Sequence, residues 1–74
     1  MAALDSGDNT AAAARFARFL ASYPGDARGE DAAYLRVIAL QRSGDSSGMK
    51  DAASFYLSRY PNGFRRAEVA ALAQ

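Results

Sequence analysis

Two short marks decide how this chain is read: Ser43-Gly44-Asp45 and, further on, Tyr60-Pro61. Each occurs twice, because Ser6-Gly7-Asp8 and Tyr23-Pro24 stand 37 positions earlier. In both copies Gly and Pro lie 17 residues apart, and the same shift aligns Leu20 with Leu57, Arg28 with Arg65, Ala33 with Ala70 and Leu35 with Leu72. A period between 20 and 50 residues marks supersecondary units that bury their apolar faces by stacking. Glycine just past a helix closes its last carbonyls in a left-handed conformation, and the Asp or Ser after it can cap the next helix. Proline lacks an N–H and disfavours helical geometry in the residue before it, so Tyr-Pro ends a helix.

Working outward from these marks, the chain divides into helices over about 9–23, 29–42, 47–60 and 64–73. Residues 1–6 match Ile38–Ser43 and read as the last turn of a preceding helix, broken at Gly7. Asp8, Asn9 and Thr10 then offer caps for the helix that carries Phe16, Phe19, Leu20 and Tyr23 on one face, extended by Ala12 and Ala13. The next helix opens on Glu30 and Asp31, acids that suit the positive end of the helix dipole. Its core face combines Ala33, Val37 and Leu40, with Leu35 or Ile38 at the margins. Ser46 or Ser47 is the expected cap of the third helix, whose stripe is Met49, Ala52, Ala53, Tyr56, Leu57 and Tyr60, with Phe55 off it. Pro61-Asn62-Gly63 is a turn. Val69, Ala70 and Leu72 are the buried side of the last helix, and Arg65, Arg66 and Glu68 its outer side. Alanine abounds and no window alternates as a strand does, so the fold class is all-α. Links this short make successive helices antiparallel neighbours in one domain over residues 1–74.

Composition narrows the function. A chain of 74 residues holds one small core, and such chains bury only about 60% of their unfolded surface. There is no Cys and no His, which removes disulfides, the usual zinc ligands and the common activators of a nucleophilic Ser. The net charge of +1 is far from the basic stripe of a nucleic-acid binder. No apolar run is long enough to insert in a membrane, and the N-terminus lacks the basic and apolar regions of a signal peptide. Asp5, Asp8, Asp26, Glu30, Asp31, Asp45, Asp51 and Glu68 sit mostly at helix starts and loops, where capping explains them. Gly44-Asp45-Ser46-Ser47-Gly48 lacks the Lys-Ser/Thr and the preceding strand of a phosphate loop. The expectation is therefore a non-enzyme with no catalytic residues, no metal and no cofactor.

The unit from Glu30 to Pro61 resembles a tetratricopeptide repeat, with Gly44-Asp45 at the family's turn and Pro61 at its terminal proline. Ala33, Val37 and Leu40 stand where that family has Trp, Gly and Tyr; Met49, Ala53 and Tyr56 stand at its Ala, Phe and Ala. Ala12, Phe16 and Phe19 fit the same second-helix positions better, and three extra residues stretch the period to 37. Phe19-Leu20-Ala21-Ser22-Tyr23-Pro24 and Tyr56-Leu57-Ser58-Arg59-Tyr60-Pro61 look like the FLxxYP style found in bacterial envelope lipoproteins and in periplasmic tails of anti-sigma-factor-like regulators. The resemblance implies a fragment of a right-handed solenoid of helix-turn-helix repeats, and secondarily an envelope location. It places residues 64–73 as a terminal helix, so that the chain reads as the C-terminal end of a longer array.

What such an array implies is a scaffold that binds a protein or peptide on its concave face. The positions that line it carry over to Asp31, Tyr34, Ile38, Gln41 and Arg42, and Tyr and Arg are types enriched at binding hot spots. The Lys/Asn pattern that clamps a peptide carboxylate is missing. The alternative is a self-associating structural fragment, possible as a homodimer, which would cover Phe16, Phe19 and the alanines of residues 11–23. Tyr23 and Tyr60 are expected to pack their rings, with each hydroxyl on a backbone partner.

Overall fold

The computed structural model describes the backbone of residues 6–74 and the side chains from Asp8 onward. All regular structure among them is helical: α1 (Ser6–Ser22), α2 (Gly29–Ser43), α3 (Ser46–Arg59) and α4 (Arg66–Leu72). Each helix packs on the next in sequence. Glu30 at the start of α2 meets Tyr56 near the end of α3, so these two run antiparallel across the tight turn at Gly44-Asp45.

That turn forms as its residue types require. Gly44 is left-handed, with φ 82° and ψ 11°, and its N–H reaches the Gln41 carbonyl while Asp45 N–H returns to Leu40. This closes the last carbonyls of α2 in the manner of a Schellman end. The cap of α3 is Asp45, whose carboxylate accepts from the Gly48 N–H at 2.8 Å. The serines expected to cap α3 lie inside the helix instead, because Asp45 is already placed at the boundary by Gly44.

The first copy of the phrase behaves differently. Ser6 and Gly7 belong to α1, so no break occurs at Gly7 and Asp8, Asn9 and Thr10 lie within the helix rather than before it. A glycine ends a helix only when the chain beyond it turns away; inside a helix it merely costs about 1 kcal/mol. The expectation for residues 1–5 lies outside the described residues. The other bounds shift slightly: α1 stops at Ser22 rather than 23, α2 reaches Ser43, α3 covers 46–59, and α4 begins at Arg66 and ends at Leu72.

The core is a cluster of Ala33 and Val37 from α2, Ala52, Ala53 and Tyr56 from α3, and Val69 from α4, with Leu20, Leu40, Met49, Leu57, Tyr60 and Leu72 against it. Small residues let the backbones approach, and Tyr56 fills the gap they leave. Ala13, Ala32 and Ala39 are also buried, on the sides where α1 and α2 meet. Leu35 is turned out to solvent, at 43% exposure.

Candidate functional site

The two loops that precede α2 and α4 are equivalent in position, share Pro24/Pro61 and Arg28/Arg65, and are tied down by different means. In the second, the Tyr56 hydroxyl donates to Glu30 Oε2 at 2.6 Å and accepts from the Arg65 N–H at 2.9 Å. Glu30 Oε2 also accepts from the Phe64 N–H at 2.7 Å. Burial, and then the bond to Glu30, push the Tyr56 phenol up to about 12. Gly63 lies against this pair so closely that any side chain there would meet the Glu30 carboxylate and the Tyr56 hydroxyl.

In the first loop the position of Gly63 is held by Asp26. Its carboxylate takes the Arg28 N–H at 2.7 Å and forms a two-pronged pair with the Arg28 guanidinium, at 3.1 and 3.0 Å. Those bonds to Arg28 hold the Asp26 carboxyl down at about 2. Phe19 stands where the second copy has Tyr56, and the Arg28 guanidinium lies 5.3 Å from the centre of its ring. Loop one is thus secured by its own acid, and loop two by an acid borrowed from α2.

The expected site residues separate into two groups on α2. Tyr34 is engaged within the molecule: its hydroxyl donates to Glu68 Oε2 at 2.5 Å, and Arg65 sits 4.6 Å from its ring centre while pairing with Glu68 at 3.4 Å. The bond to Glu68, with some burial, raises the Tyr34 phenol above its ordinary value. Arg65 and Glu68, read in the sequence as an outer side, therefore help to hold α4 onto α2. Gln41, seven residues beyond Tyr34, is exposed on that flank.

Asp31, Ile38 and Arg42 form the second group. With Leu35 they lie at the i, i+4, i+7 and i+11 spacing of a single helix stripe. Asp31 and Leu35 border a wide apolar trough whose floor is Phe16, Phe19 and Ala32, with Arg15 and Arg28 at its rim. Sequence reasoning placed Phe16 and Phe19 on the correct face, but it put Leu35 beside the core rather than on the rim. The 37-residue shift gave no warning of this. It maps Leu35 onto Leu72, which a neighbouring helix half-covers, whereas the residues described here put no such helix over Leu35.

Tyr23 does not pack as expected. It is 57% exposed, with its ring tilted against Phe19 at 5.2 Å between centroids. Tyr60 fits better, half-buried against Tyr56 at 5.4 Å. Beside Tyr23, Arg59 donates to the Pro24 carbonyl, joining the end of α3 to the loop after α1. Phe64 is 98% exposed. No helix among the described residues is long and apolar enough to cross a membrane.

Comparison with family models, curated proteins and solved structures returns no match.

Proposed function

We propose that this chain is a non-enzymatic scaffold module, a tetratricopeptide-like repeat fragment that binds a protein or peptide along α2. The observation that carries the reading is the α2 stripe of exposed Asp31, Leu35 and Arg42 with half-buried Ile38, opening onto the Phe16/Phe19 trough. Apolar surface rimmed by charges is the usual anatomy of a protein-binding patch, and an Arg at its edge adds a hot-spot type. Tyr34 contributes indirectly, by fixing α4 to α2 and so holding the ridge.

The test is capture of a partner from extract of the source cells by the wild-type chain and by a Leu35→Asp/Arg42→Ala double variant. Both substitutions fall on exposed positions, so helicity should be unchanged while capture is lost. Equal capture by the folded variant overturns the reading. Tyr34→Ala is a poor probe, because it also removes the grip on Glu68 and Arg65.

A further inference from the structure

The trough between α1 and α2 has a counterpart inside the molecule. Shifting its lining residues Arg15, Phe16, Phe19, Arg28, Asp31, Ala32 and Leu35 by 37 gives Ala52, Ala53, Tyr56, Arg65, Glu68, Val69 and Leu72, with Arg15 at the rim where the counterpart has a small buried Ala52. Those are the residues of α3, of α4 and of the position just before α4 against which α2 itself is seated. Ala53, Tyr56 and Val69 share the core cluster with Ala33 and Val37 of α2, and Leu72 packs against it. Arg65 and Glu68 hold the Tyr34 ring and hydroxyl. A groove built to this pattern is therefore occupied once, by a helix, and the same pattern recurs on α1 and α2.

We infer that the α1/α2 trough docks an amphipathic α-helix in the register that α2 adopts on α3 and α4. This rests on the protein-binding reading above and specifies its ligand. Three features define the helix. At the position of Tyr34 it carries a residue with a hydroxyl or amide donor, which reaches Asp31 as Tyr34 reaches Glu68, with its ring or stem over Arg28. At the positions of Ala33 and Val37 it is apolar and small, because Phe16 makes the trough fuller than Ala53 makes its counterpart. At the position of Glu30 it is not acidic. Asp26 already supplies the carboxylate that Glu30 supplies to the other loop, and Phe19 lacks the hydroxyl that Tyr56 offers Glu30. An acid there would face Asp26 without the hydroxyl donor that Tyr56 gives Glu30, which is unfavourable for like charges brought together.

The experiment titrates the isotope-labelled 74-residue chain with a synthetic helix of residues 29–43, stapled between positions 35 and 39 and carrying Glu30→Ala. The staple offsets the poor intrinsic helicity of so short a peptide. Amide shifts of residues 12–20 and 28–35 should move and saturate. Restoring Glu30 in the peptide should weaken binding about tenfold, the cost of leaving one charge unpaired and close to another. Leu35→Asp in the protein should abolish the shifts. No binding by the stapled helix while the capture assay still responds to Leu35→Asp overturns the helical ligand and leaves the protein-binding reading standing. Equal binding by an unstapled Val37→Pro peptide does the same. If the chain alone sediments as a dimer and Leu35→Asp makes it monomeric, the occupant is a second copy and the inference of a separate helical ligand is overturned.

Discussion

The Tyr56 hydroxyl donates to the Glu30 carboxylate at 2.6 Å, linking the end of α3 to the start of α2 across 26 residues of sequence. Around that bond the loop before α4 closes, since the same two groups accept the N–H groups of Arg65 and Phe64. Removing the hydroxyl takes one of two donors from the half-buried Glu30 carboxylate and leaves the Arg65 N–H without its acceptor, a cost of about 1–3 kcal/mol. Tyr56→Phe is therefore expected to lower unfolding free energy by about that amount at neutral pH, by urea denaturation followed by circular dichroism.

Alkaline pH probes the same group. The folded phenol sits at about 12, above its ordinary value of 10.0. Stability tied to it is fully present below pH 10.0 and is lost as pH rises through about 12, because the unfolded chain deprotonates first. Wild type should therefore lose stability across that window more steeply than Tyr56→Phe. Parallel curves would show that the hydroxyl is not held as described.

Gly63 and Gly25 test the contrast between the loops. A side chain at 63 would meet Glu30 and Tyr56, whereas nothing lies within 4 Å of a side chain at 25. Gly63→Ala should destabilise by about 1–3 kcal/mol, as overpacking does, and Gly25→Ala should be near neutral. Thermal melts of the two variants decide it.

Gly44 has φ 82°, where a side chain meets the following carbonyl. Replacing it with L-alanine should cost about 1–2 kcal/mol, and with D-alanine, introduced by synthesis, should cost nothing or stabilise. Equal effects from both enantiomers would contradict a left-handed end to α2.

Val37 is fully buried among α2, α3 and α4, so Val37→Ala removes two methyl groups and leaves a void. About 2–3 kcal/mol is the expected loss, by the same urea assay. In so small a domain that is a large part of the total.

How much of this was legible in the sequence follows from what each residue depends on. Gly44, Asp45, Pro24 and Pro61 act through backbone geometry that is local, and they located three of the four helix ends within a residue or two. Gly7 stands in the same phrase as Gly44 but sits in a helix, so the phrase alone does not decide where a helix ends. The core stripe of α3 was readable from spacing. Leu35 was not, since its exposure depends on whether a helix lies over α1 and α2. The clasp of Tyr34 by Glu68 and Arg65, and the borrowing of Glu30 by the second loop, join residues 34 positions apart. Only the difference between Asp26 and Gly63 at equivalent loop positions hinted at it.

The most direct test of the account is the affinity of a captured partner for wild type and for Leu35→Asp, measured by calorimetry on chains of equal helicity. Placing a charge in the apolar rim should weaken binding by at least about tenfold, on the scale of a hot-spot loss. An unchanged affinity in the folded variant would contradict the assignment of the α1/α2 trough and the α2 stripe as the binding surface.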